Sequence, residues 1–324
     1  LQAPRVAVAQ ATQSSGSTKA DPYSVGIVDD GSGMSSSGSF SYDYAAEAFM
    51  GSLNFTGGSF YSVSSSGQTE NFTTVQLNLM DEAGSYYYEA QDIAFLFILS
   101  NGEYQLAFAD ELWNQSTRGG SMQGTLLQGN GWLTNSSSVE LYAYGSNKTY
   151  NTTAPFELKE MTETGLSSQG YPFITFYYEF SNTTYSTGWV ALDNVTIEDL
   201  ASYSEFVVGG HAGTSDLTRF ENWLTGENLN DAEWVVAGFN VPSWTTYVTK
   251  WDATATLQYW NGYGWYSVPS AVTRSYDTAG AVNATEGIYE WWNNGEAYAE
   301  QVAWETYPAY LWNVTASASY DAYN

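Results

Sequence analysis

The segment "YYYEAQDIAFLFILSNG", Tyr86 to Gly102, decides how this chain is read. Its centre, Ile93 to Leu99, is an unbroken apolar run rich in the branched and aromatic residues that fit a pleated, half-buried surface. The run is entered through Glu89, Gln91 and Asp92. A carboxylate taken into a core is costly unless it is paired, hydrogen-bonded or protonated. A strand here therefore carries an acid inward. Glu89 and Asp92, three residues apart, fall on opposite faces of that strand.

The same texture continues in both directions. Short runs such as "TTVQLNLMD", "YQLAFADELW", "SVELYAYG", "YPFITFYYEF", "TGWVALDNVTI" and "ATLQYWNG" recur between Gly/Ser/Asn clusters. Long helical periodicity is missing, and "SDLTRFENWLTG" is the best candidate for one short helix. The expectation is an all-β fold of sandwich or barrel type. In "YWNGYGWYSV" the pair Asn261-Gly262 is a hairpin turn signal. Residues 1–20 stand apart: Arg5, Val6, Val8 and Ala9 lie in a small-residue strand pattern, followed by a Ser/Gly tether. Residues 21–200 and 201–324 read as two β subdomains or one large sandwich. The first carries eight of the ten Asn-X-Ser/Thr sequons and the second most of the tryptophans.

Charge narrows the function. Eight Lys+Arg stand against thirty-five Asp+Glu, a net charge of −27 at pH 7, although only 13% of residues are charged. Self-repulsion of that size strains a compact state at neutral pH. It largely disappears below roughly pH 4, where carboxylates protonate. The composition therefore points to an acidic working medium and gives no basic patch for nucleic acid. With no cysteine there is no disulfide, thiolate nucleophile or thiolate metal site. One histidine, His211, cannot make a His-rich zinc site, and in acid it would be protonated and useless as a base. No metal or cofactor is expected. The sequons at Asn54, Asn71, Asn114, Asn135, Asn147, Asn151, Asn182, Asn194, Asn283 and Asn313 point to an N-glycosylated exterior protein. No apolar run of ~20 residues suggests a membrane span. A start at Leu1 without Met is read as a mature, secreted form.

The acids inside apolar runs are Asp92, Asp110, Asp193, Glu205 and Asp277. Two carboxyls brought together can share a proton, one ionised and one neutral, and so activate water for hydrolysis in acid. Each acid taken alone reads first as structural, a strand-end acid bonded to backbone amides, and only their combination points to catalysis.

In order and spacing, "VGIVDDG", "VQLNL", "YYYEAQDI", "LAFADELWNQS", "ITFYYEF", "WVALDNVTI", "SEFVVGG" and "VPSAVTRSYDTAG" resemble the thermopsin family over Pro22 to Gly295. The resemblance implies a β-rich, secreted, glycosylated acid peptidase that works without metal. Gln91-Asp92 matches the family's Gln-Asp/Asn pair. Asp110, Trp113 and Asn114 match "D-N-x-W-N". Asp193 matches the acid of "Y-D-x-V-T", and Glu205 with Gly209-Gly210 matches "E-x-V-x-G-G". Two departures stand out. Glu89 replaces a usual Trp, and Asp277-Thr278-Ala279 is followed by Gly280 where the family keeps Glu.

Two function classes follow. In the first, favoured here because of the altered Glu and the Ser-rich arm, the chain is a glycosylated structural surface protein. Its copies polymerise head to tail as residues 5–9 add a strand to a neighbour's sheet edge. In the second it is an active acid endopeptidase using Asp92 with Asp110 or Glu205. Asp277 is a further candidate there, and Gln91 and Asn114 orient the pair. A carbohydrate-binding sandwich using the exposed aromatics of "YWNGYGWY" is a third, lesser reading.

Overall fold

A computed structural model describes residues 25–30, 46–64, 66–83, 86–114, 127–135, 140–200, 207–208, 232–237, 244–260, 262–267, 272–274, 288–293 and 296–301. Residues 1–20, with Arg5, Val6, Val8 and Ala9, lie outside the described residues. So do Glu205, Gly209, Gly210, His211, the helix candidate at 215–226, Asp277, Asn283 and Asn313.

The described strands are β1 (Val25–Asp30), β2 (Ala48–Ser64), β3 (Thr69–Glu70), β4 (Phe72–Ala83), β5 (Tyr86–Ile98), β6 (Tyr104–Asn114), β7 (Leu127–Gln128), β8 (Trp132–Asn135) and β9 (Glu140–Thr152). They continue with β10 (Phe156–Leu166), β11 (Pro172–Asn182), β12 (Val190–Ile197), β13 (Val207–Val208), β14 (Ala232–Ala237), β15 (Trp244–Trp260), β16 (Trp265–Ser267), β17 (Val272–Arg274), β18 (Ile288–Asn293) and β19 (Glu296–Gln301). The one helical element among the described residues is a 3₁₀ turn, Glu198–Leu200. The protein is all-β: two packed antiparallel sheets, not a closed barrel. Sheet 1 runs β17-β1-β14-β4-β5-β6-β9-β8, with β13 on β4. Sheet 2 runs β18-β19-β15-β2-β10-β11-β12-β7, with β16 on β15 and β3 on β2. Strands from both sides of residue 200 enter each sheet.

The period-two pattern explains the layering. On β10, Phe156, Leu158, Glu160, Thr162 and Thr164 are buried and face sheet 1, while the residues between them are more open. On β5, Ala90, Ala94 and Leu96 join the main core, whereas Ile93 and Phe95 belong to a separate apolar cluster on the outer face of sheet 1. The core between the sheets is strongly aromatic. Phe108 and Tyr178 stack across it with centroids 3.8 Å apart and planes 6° apart. Trp234 lies against Gly51, where any Cβ would collide with its indole, and donates from Nε1 to the Ser52 carbonyl at 3.0 Å. The hairpin anticipated at Asn261-Gly262 joins β15 to β16: Trp260 pairs with Trp265, and Gly262 takes φ +89°.

A candidate acid site between the sheets

The β5–β6 hairpin sets the site. Its turn is closed by the Gly102 amide on the Leu99 carbonyl, with Gly102 at φ +83°, a conformation that favours glycine. Ile98 then pairs with Tyr104, and six residues further along each strand Asp92 pairs with Asp110. Both side chains point between the sheets and both residues are 0% exposed. Directly opposite residues on one face lie ~5 Å apart at Cβ, so the two carboxyls are immediate neighbours.

A third acid meets them from sheet 2. Glu160 on β10 is also fully buried, and the charge of Asp92 opposes its ionisation. No oxygen of Asp92, Asp110 or Glu160 has a hydrogen-bond partner of normal geometry. Burial dominates their chemistry and holds all three carboxyls well above the usual carboxylate range. At Asp92 the backbone amides of Tyr177, on the facing sheet, and Ile93 pull weakly the other way. At Asp110 the charges of Asp193, Asp92 and Glu111 add to the burial. Carboxyls this close cannot all ionise, so the group retains protons to a higher pH than a free acid would.

Asp193 belongs to a different arrangement. A β-bulge in β12, where Phe176 pairs with Asp193 but Tyr177 pairs with Ala191, turns both Leu192 and Asp193 inward. Asp193 accepts hydrogen bonds from Tyr142 Oη at 2.5 Å, the Asn130 amide at 3.0 Å, Asn130 Nδ2 at 2.9 Å and its neighbour's amide at 2.7 Å. The Gly131 amide donates to Tyr142 Oη at 2.6 Å. Residues 129–131 carry the chain from β7 in sheet 2 to β8 in sheet 1, so Asp193 and Tyr142 clasp the two sheets at that crossing. Gly129 and Gly131 leave no room for a Cβ against Tyr142 and the Ala143 carbonyl. Burial and the bond to Asp193 raise the Tyr142 phenol above its ordinary range.

Gln91 lies on the other face of β5 from Asp92. Its Nε2 donates to Glu89 Oε1 at 2.8 Å and its Oε1 accepts from Trp113 Nε1 at 3.3 Å. It therefore faces away from the acid pair it was expected to orient. Asn114 is on the inner face and buried, four residues beyond Asp110. Among the sequon asparagines, Asn54, Asn71, Asn147, Asn151 and Asn194 are exposed, Asn182 is half-buried and Asn135 lies on β8. Sequence reasoning missed Glu160. The signal was its phase: it alternates with Phe156, Leu158 and Thr162.

Among the described residues, no helix is long and apolar enough to cross a membrane, and no cluster of His, Asp and Glu has a metal-binding arrangement. No curated protein matches the chain. The thermopsin family profile matches residues 10–285, nearly the whole length, and the chain is therefore a member of the thermopsin family.

Proposed function

We propose that this protein is a secreted, thermopsin-like acid endopeptidase in which Asp92 and Asp110 are the catalytic pair. The observation that carries the reading is their placement: register partners on adjacent inner strands, both fully buried, neither with a hydrogen-bond partner of normal geometry. The pair works where it holds one proton, once one member has ionised and the other has not. Its ionised member takes a proton from water, and the water oxygen adds to the peptide carbonyl carbon. The neutral member gives its proton to the carbonyl oxygen, forming a gem-diol. Collapse of that intermediate breaks the C–N bond, and the amine leaves with a proton returned by the pair. The charge of Asp92 opposes ionisation of Glu160, so Glu160 stays protonated beside the working pair. Both catalytic side chains are shut from solvent, so peptide reaches them only after an opening step.

Family membership favours this reading over the filament subunit anticipated from the sequence, whose strand arm lies outside the described residues. The test is casein digestion in acid. Wild-type protein should cleave, and Asp92→Asn and Asp110→Asn should each lose about 10²–10⁴-fold, the range supplied by general acid–base catalysis. Absence of cleavage by folded wild-type protein throughout the acid range would overturn it.

A further inference from the structure

The outer face of sheet 2 reaches solvent, with Asn54 and Thr56 on β2 and Glu163 on β10 exposed there. It holds a pocket that the hydrolytic reading does not use. Two elements build that pocket. In the β15–β16 hairpin Tyr259 turns in against the core, so Trp260 turns out, and Trp265 is its register partner. The two indoles stand 5.7 Å apart at their centroids with planes 62° apart, as two walls of a corner. On β10, Glu160, Thr162 and Thr164 are buried, which sends Met161 and Glu163 to the outside. Ala48 on β2 is the register partner of Glu163. The preceding residue, Glu47, is pinned by its carbonyl, which accepts from the Thr164 amide at 2.7 Å and from Thr164 Oγ1 at 3.3 Å. Glu47, Ala48, Met161, Glu163, Trp260 and Trp265 line a cavity of about 230 Å³.

The lining selects the ligand. The face of an indole is the negative part of its quadrupole and attracts a cation held over it. The two glutamates add charge of the same sign, and Tyr177 Oη steers one of them by donating to Glu163 Oε2 at 3.4 Å. Lys159, on the same face, is taken up by Glu157 at 3.3 Å and Glu179 at 3.8 Å. Among the described residues neither Glu47 nor Glu163 has an ion-pair partner. Walls and carboxylates therefore act in one sense, and the positive charge that would balance them is missing from the pocket itself. The cavity is smaller than the ~300–1,000 Å³ of sites for drug-sized ligands, a scale that suits a single side chain. The stem of a Lys or Arg can lie along Met161 and the indoles while its charged head meets the carboxylates.

We propose that Trp260, Trp265, Glu47 and Glu163 form a binding site for a basic side chain, Lys or Arg, presented by a peptide. Glu163 lies on the face of β10 opposite Glu160, so the site is separate from the acid pair. Binding here needs no bond cleavage and goes beyond the hydrolytic reading. The hairpin motif "YWNGYGWY" is thereby given a use: its tight turn sets two indoles side by side on the open face.

The test uses the full chain carrying Asp92→Asn and Asp110→Asn, so that nothing is cut. The probes are fluorescent, end-capped Gly/Ser peptides with one central Lys, Arg or Gln. Anisotropy is read at pH 6, above the ordinary carboxylate range, with circular dichroism as the folding control. The Lys and Arg peptides should bind about fivefold or more tighter than the Gln peptide, and Trp265→Ala should remove about that advantage. Glu47→Gln with Glu163→Gln should remove it too, whereas Glu70→Gln with Asp252→Asn, an equal loss of charge at exposed positions outside the pocket, should leave most of it. Equal binding of the Gln peptide would overturn the proposal. So would an equal loss in the two charge variants, which would reduce the effect to the chain's net charge, or displacement of the Lys peptide by maltoheptaose, which would make the pocket a sugar site. If Trp265→Ala does not fold, the comparison of the two charge variants decides alone. Selective binding of the basic peptides by a chain whose wild type cleaves nothing would leave this site standing and sink only the peptidase reading.

Discussion

Asp92 and Asp110 face one another across the β5–β6 ladder with no exposed surface and no hydrogen bond of normal geometry, while Asp193, on a neighbouring strand of the facing sheet, has four. The same side chain serves two purposes here. Saturated with donors, it ties the sheets together; short of them, it holds a proton.

Stability should fall as pH rises. Burial raises Asp81, Asp92, Asp110 and Glu160 above the ordinary range, and Glu111 to about 8. A group whose folded value lies above its unfolded one, about 4 for a carboxyl, gives its full stability below that value and loses it as pH climbs through the folded one. Thermal melting should therefore be highest below about pH 4 and decline up to and past neutrality, the Glu111 share persisting until about 8. Asp110→Asn should melt with the wild type in acid and above it at neutral pH, where the wild type must ionise or hold a buried proton. Each ~1 kcal/mol gained would raise the midpoint by roughly 2 °C in a chain of this size. A melting temperature that rises with pH would contradict this.

Glu160→Gln should leave the acidic side of the pH dependence of hydrolysis in place. The charge of Asp92 opposes ionisation of Glu160, so Glu160 is already neutral where the pair works, as the amide is. The rising acidic limb of kcat/KM should stay where it is, with little change in melting temperature in acid. A limb shifted to lower pH would show that Glu160 is ionised beside the working pair.

These contributions were unequally legible in the sequence. Strand identity and the inward acid were readable because "QDIAFLFIL" brings an acid into an apolar run. The pairing of Asp92 with Asp110 was not, because register depends on where the Leu99–Glu103 turn closes, and a shift of one residue would send one acid to the other face. Glu160 sits in "FELKEMTETG", where flanking charges hide its phase with Phe156 and Leu158. Asp193 turns inward together with Leu192 through a bulge, which no period-two pattern anticipates. Gln91, adjacent to Asp92 in sequence, was grouped with it; alternation sends the two to opposite faces.

The clasp should be sensitive to single atoms. Tyr142→Phe removes the donor to Asp193 and the acceptor for the Gly131 amide, leaving buried polar groups unpaired at a cost of about 1–3 kcal/mol. Gly131→Ala forces a methyl against the Ala143 carbonyl and should cost about as much through overpacking. Denaturant unfolding in acid measures both. Loss of less than ~0.5 kcal/mol in either would show that the crossing at 129–131 does not hold the sheets together.

The most direct measurement is the infrared carboxyl band of the folded protein near neutral pH, taken as the difference between wild type and the Asp92→Asn, Asp110→Asn double variant. The predicted difference spectrum contains the C=O stretch of a protonated carboxyl that survives where free aspartates are fully ionised. A spectrum containing only ionised carboxylate bands at these two positions would contradict the shared proton, and with it the catalytic pair.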